Sequence, residues 1–141
     1  MIIGGLSDAS SVTPDTVLPT LVVMRAGRTR DLLSALLGSF PHIQLLPPSE
    51  DTEQVLSQMR TEPPGVVLLD WDLPDSAALS MLRQIRTQYP LARCVMLVSS
   101  YQAELLARSA QADAVLFKGF AAHELMSLMC YFRQTQQEPH A

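Results

Sequence analysis

The chain has 141 residues, a formal net charge of −4 and an isoelectric point near 5.2. That length bounds it to about one domain, and an acidic chain with no basic run argues against nucleic acid or an anionic membrane as a direct partner. Apolar residues make up 48% and the mean hydropathy is +0.15, enough for a well-filled core, yet no segment approaches the ~18 apolar residues of a membrane span.

Residues 1–18 mix Ser, Thr, Asp, Gly and Pro without periodicity and read as a flexible lead-in. The start Met1-Ile2-Ile3-Gly4-Gly5 has no basic leader, which points to the cytoplasm. A single domain is expected over residues 19–135, followed by a polar tail at 136–141. Order begins near Thr20. Residues 21–24 form a strand, and the pairs Leu32/Leu33 and Leu36/Leu37 repeat at helical spacing up to Gly38, a C-terminal cap. Residues 42–46 form a second strand, stopped by Pro47-Pro48. Asp51 with Gln54 has the form of a capping box, and Val55, Leu56 and Met59 give a second helix its apolar face.

The central stretch is Gly65-Val66-Val67-Leu68-Leu69-Asp70-Trp71-Asp72-Leu73-Pro74. Four consecutive apolar residues that stop at a carboxylate fit a short strand buried on both faces. Asp75 or Ser76 then caps a third helix that carries Ala78, Met81, Leu82 and Ile85 and ends by Tyr89-Pro90. Residues 94–98 are a fourth strand, and Ser99-Ser100 lead into a fourth helix through Leu105 and Leu106. Residues 114–117 are a fifth strand, and a last helix spans about 121–135.

Five strand-helix alternations with apolar strands predict a doubly wound α/β fold, (βα)5, three layers deep, with a parallel sheet of order 2-1-3-4-5. That order puts the switch point between the first and third strands, above Asp70. Cys94 and Cys130 have neither metal-ligand nor disulfide-framework spacing and read as buried structural thiols. His42, His123 and His140 are scattered and show no ligand spacing. Trp71 reads as a partly buried packing residue beside Asp70, with covering of the pocket mouth or a partner contact as the other reading.

The run Val66 to Pro74 resembles the phosphoacceptor strand of bacterial response-regulator receiver domains. Ser99 matches the hydroxyl residue that closes the family's fourth strand, and Ala112-Asp113-Ala114-Val115-Leu116-Phe117-Lys118 is similar to its fifth strand and lysine. Phe120, Glu124 and Leu125 match the start of its last helix. The resemblance covers residues 20–135. It implies a flavodoxin-like fold and transfer of a phosphoryl group from a histidine kinase to an aspartate with Mg²⁺. Carried over, Asp70 is the candidate phosphoacceptor, Ser99 and Lys118 are the phosphate contacts, and the carbonyl of Asp72 is a metal ligand.

The family's acidic pair at the end of the first strand is replaced by Met24-Arg25. The pocket then sets Asp70 and Asp72 against Arg25 and Lys118, and the electrostatic demand for a divalent cation is gone. Val115 stands at the family's switch aromatic, Gly119 replaces a proline, and the segment from Ser99 to Lys118 is short, with the fourth helix or its leading loop trimmed. The leading expectation is a non-enzymatic pseudo-receiver that acts through contacts with signalling proteins, with impaired Mg²⁺-dependent phosphorylation and no cofactor. The alternatives are a working phosphoacceptor, with Mg²⁺ and a histidine kinase, and an unrelated flavodoxin-like binding domain.

Two finer expectations follow. Leu125, Met126, Leu128, Met129, Tyr131 and Phe132 span too wide an arc for one buried face, so part of the last helix is exposed or paired in a homodimer through the fourth helix, fifth strand and fifth helix. Adjacent parallel strands about 4.8 Å apart bring Arg25 to Asp70, and the two form a salt bridge that occupies the metal's place, with Lys118 sharing the carboxylate; the alternative is that Arg25 points to solvent and leaves an open but metal-poor pocket.

Overall fold

The computed structural model describes residues 17–136, the side chain of Gln136 excepted. The lead-in over 1–16 and the tail over 137–141, with His140, lie outside the described residues. The strands are β1 (Leu18–Val23), β2 (Ile43–Leu45), β3 (Val66–Asp70), β4 (Arg93–Val98) and β5 (Ala114–Phe117). The helices are α1 (Arg28–Gly38), α2 (Thr52–Thr61), α3 (Ala77–Gln88), α4 (Tyr101–Ser109) and α5 (Ala122–Gln136), with a short 3₁₀ turn at Pro74–Ser76 before α3. All five strands are parallel, in the order β2-β1-β3-β4-β5 that the alternation predicts.

Alternation along the strands divides the core in two. Leu21, Val23, Val67, Leu69, Cys94, Met96 and Val98 pack on the face covered by α2, α3 and α4. Leu18, Val22, Val66, Leu68, Val95 and Leu97 pack on the other face, beneath Leu33 and Leu37 of α1 and Leu125, Met129 and Phe132 of α5. Every residue of β3 is buried, which is why its sequence shows no alternation.

Several boundaries differ from expectation for identifiable reasons. β1 starts at Leu18, inside the expected lead-in, because Leu18 is buried and its N–H donates to the His42 carbonyl at 2.8 Å. Pro19 is tolerated beside the strand's first residue, and its carbonyl accepts from Gly65 N. β2 is short: His42 takes a left-handed φ of 69° just before it, and Pro47-Pro48 follow without N–H donors. The ladder resumes at Ser49, bridged to Val23.

Asp51 caps α2, its Oδ1 accepting from Gln54 N at 2.8 Å, but Gln54 returns its own bond to Glu50 N rather than to Asp51. Neither Asp75 nor Ser76 caps α3 with its side chain. Both lie at positive φ, where the chain doubles back after β3. Gly38 stays helical, and Ser39 closes α1 through its N–H and its hydroxyl on Leu36 O. Ser100 caps α4 by accepting from Ala103 N, so only Ser99 and Ser100 separate strand from helix. Cys94 is buried as expected, whereas Cys130 is exposed, because α5 turns only the Leu125, Met129 and Phe132 stripe to the sheet. Met126 and Tyr131 of that helix are exposed too, at 47% and 56%. Among the described residues, no helix is long and apolar enough to cross a membrane.

Candidate functional site

Strand parity assembles the site. Asp70 continues the Val66, Leu68 series and pairs in register with Leu97, which pairs with Leu116. Ser99 lies one side-chain repeat beyond Leu97, and Lys118 one beyond Leu116, so all three residues fall on the α1 and α5 side at the carboxyl edge of the sheet. Lys118 N donates to Val98 O at 2.8 Å, which sets Lys118 beside the end of β4. Ser99 is exposed there.

Asp70 is only 8% exposed. Its Oδ1 accepts from Asp72 N at 3.0 Å and lies 2.6 Å from Lys118 Nζ, and the same ammonium reaches Asp72 Oδ2 at 2.7 Å. Oδ2 of Asp70 takes neither bond, so the lysine engages one oxygen of the carboxylate and leaves the other. Partial burial pulls the Lys118 pKa down, but the hydrogen bonds and charges of Asp70 and Asp72 outweigh it and hold the ammonium above its ordinary value. Lys118 is also the sole lysine in the chain.

The expected Arg25 to Asp70 salt bridge is not formed. β1 and β3 pair as Val23 with Leu69, and one further step sets Met24, not Arg25, opposite Asp70. Met24 is 3% exposed and packs among Leu33, Leu37 and Leu97. Arg25 falls after the strand has ended, with an exposed side chain. Lys118 alone takes Asp70. Trp71, at the opposite parity, is half-buried against the α2, α3 and α4 cluster, and Asp72 is exposed.

An open cleft of about 250 Å³ lies at this edge, lined by Met24, Arg25, Arg28, Thr29, Arg30, Asp70 and Lys118 with the backbone between. Arg30 donates to Met24 O at 3.3 Å and pairs with Glu50 at 3.4 Å. Sequence reasoning missed Arg28 and Arg30, although the signal was available: Arg25-Ala26-Gly27-Arg28-Thr29-Arg30 puts three arginines in six residues. The residues present do not fit Mg²⁺. The position opposite Asp70 is a buried thioether, the next is a guanidinium, and both nearby carboxylates are held by one ammonium. Among the described residues, no group of three His, Cys, Asp or Glu is placed to hold a metal ion.

The chain is 28% identical over 74 residues to Protein-glutamate methylesterase/protein-glutamine glutaminase 3 of Geobacter metallireducens, covering 52% of this chain and 21% of that protein. It is 33% identical over 88 residues to Protein-glutamate methylesterase/protein-glutamine glutaminase 1 of Oleidesulfovibrio alaskensis, covering 62% and 23%. The matches thus span about a fifth of these relatives' length. Among solved structures, the response regulator domain of Thermotoga maritima CheB superposes with a TM-score of 0.71 at 19% identity, over 88% of this chain and 99% of that one. A LuxR-family two-component response regulator from Aurantimonas sp. SI85-9A1 superposes with a TM-score of 0.76 at 19% identity, over 84% and 86%. At such identities the likeness shows the fold. The model of the response regulator receiver domain matches residues 29–129, and with the sheet order and the Asp70, Ser99 and Lys118 edge in place, the chain belongs to that family of two-component signalling domains.

Proposed function

We propose that this receiver domain signals through protein contacts and that Mg²⁺-dependent phosphorylation of Asp70 is impaired. The observation that carries the reading is the end of β1, where Met24 is sunk in the leucine cluster and Arg25 is an exposed cation. Without an acidic pair, a divalent ion meets only Asp70 and Asp72, both already bound to Lys118. On this reading the domain is a non-enzymatic, cytoplasmic signalling element. The contact surface is the α4, β5 and α5 face, which exposes Tyr101, Leu105, Leu106, Met126 and Tyr131. Such a surface suits a signalling partner or a second copy of the domain.

A second reading has one observation in its favour: Asp70 lines the cleft, and its Oδ2 takes neither the Lys118 nor the Asp72 bond. A carboxylate so placed keeps an oxygen for attack on a phosphoryl donor, as in a working phosphoacceptor served by a histidine kinase. Incubation with acetyl phosphate, with and without Mg²⁺, read by intact mass, separates the two. The expected result is no phosphoryl adduct under either condition. A Mg²⁺-dependent adduct that is lost in Asp70→Asn overturns the proposal. Contact through the α4, β5 and α5 face is tested by sedimentation at high concentration, where a strict monomer counts against the homodimer.

A further inference from the structure

The cleft beside Asp70 differs in charge from a cation site. Four cationic side chains, Arg25, Arg28, Arg30 and Lys118, line it against one carboxylate, Asp70. Even with the ion-pair partners Glu50 of Arg30 and Asp72 of Lys118 counted, positive groups outnumber negative ones. Arg25 and Arg28 are exposed and make no ion pair among the described residues. Guanidinium groups present forked donors that suit phosphate geometry. Thr29, on the same rim, adds a hydroxyl.

We infer that this cleft is an oxyanion site that takes a phosphate-class dianion noncovalently, held chiefly by Arg25 and Arg28 with Arg30 and Lys118 behind them. The inference rests on the reading above, since a metal bound at the same edge would itself draw the anion. A second pocket of about 190 Å³ adjoins the cleft, shares Met24, Thr29 and Lys118 with it, and is otherwise lined by Leu32, Leu33, Leu36, Leu97, Gly119 and Phe120. A phosphate monoester with an apolar substituent therefore has a place for both halves, whereas free phosphate uses the cationic half alone.

The test is calorimetric titration of the whole chain with inorganic phosphate and with phenyl phosphate, in metal-free buffer and with Mg²⁺. Saturable binding without metal, with a dissociation constant on the order of 1 mM or tighter, is the expected result. Tighter binding of phenyl phosphate assigns the ester as ligand, and equal affinities assign the free anion. Arg25→Ala/Arg28→Ala should weaken either by about tenfold or more. The control Arg60→Ala/Arg83→Ala makes the same charge change on exposed residues of α2 and α3 and should leave binding within about twofold, because exposed charges that distant are screened. No saturable binding, or equal loss in both double variants, overturns the inference alone. Binding that requires Mg²⁺ overturns the underlying reading of the metal site instead.

Discussion

Replacing Lys118 with methionine tests the description of the site most directly. The substitution keeps an unbranched stem of similar length and removes the ammonium that bonds Asp70 at 2.6 Å and Asp72 at 2.7 Å. The Asp72 contact contributes little, because that side chain is 59% exposed. Asp70 is buried, and a hydrogen bond to a charged group is worth about 1.5–3 kcal/mol. Lys118 itself is partly desolvated, a cost that methionine does not carry and that offsets part of the loss. The net destabilisation should be about 1 kcal/mol, or a fall in melting temperature on the order of 3–5 °C.

The pH dependence has a definite sign. Lys118 has a folded pKa above its unfolded value, so its contribution is complete below the ordinary lysine value of 10.5 and is lost as the pH rises through the folded pKa. Urea unfolding of native and Lys118→Met protein, followed by Trp71 fluorescence, should give a stability gap at pH 8 that closes in strongly alkaline solution. Because Lys118 is the sole lysine, NMR of protein labelled with ¹³C-lysine reports its titration without ambiguity. The midpoint should lie above 10.5 and move down in Asp70→Asn. A native midpoint at or below 10.5, or a Lys118→Met variant as stable as the native chain at pH 8, refutes the ion-pair description.

Burial and the adjacent Asp113 push the Cys94 thiol up to about 12, so at pH 8 a thiol reagent should titrate the exposed Cys130 quickly and reach Cys94 only on unfolding; two fast thiols would contradict the burial of β4. Leu68 is fully buried on the middle strand, and Leu68→Ala should cost about 3 kcal/mol by urea unfolding, against which a loss well under 1 kcal/mol would count. Gln111 sits at φ 68°, just past the end of α4, where its N–H bonds Arg108 O and that of Ala112 bonds Ala107 O. Gln111→Gly relieves a left-handed side chain worth about 1–2 kcal/mol but frees the unfolded chain by about 0.4–1 kcal/mol. A net gain of roughly 0.5–1 kcal/mol is expected, and destabilisation would argue against that turn.

What could be read from the residues divides along physical lines. Short apolar runs mark the strands, most clearly β3 after Gly65 and β4 before Ser99, because a strand covered on both faces must be apolar throughout, and five such runs separated by helices leave one common topology. Asp70 was legible for a related reason, since it ends an apolar run at the sheet's carboxyl edge, whereas Ser99 and Lys118 were legible through the resemblance of their segments to the family's fourth and fifth strands. Caps were less legible. Asp51 and Ser100 accept the bonds their types favour, but Asp75 and Ser76 sit in a loop whose path is set by the tight return after Asp70.

The largest miss, Arg25, shows where parity stops working. Alternation holds while the ladder holds, and β1 ends at Val23. One step further the register still sets Met24 opposite Asp70, and the neighbouring leucines of α1 draw that side chain into the core. Two steps further no ladder fixes the direction of Arg25, so hydration decides, and a guanidinium that stays in water avoids a desolvation cost that pairing with a nearly buried carboxylate must offset. Lys118 has no such freedom, since its backbone N–H is bonded to Val98 and its stem begins at the sheet edge beside Asp70. The cation anchored by the sheet therefore takes the carboxylate, and Arg25 on the β1 to α1 connection is left lining the cleft with Arg28 and Arg30 of α1, the arrangement on which the proposed anion site rests.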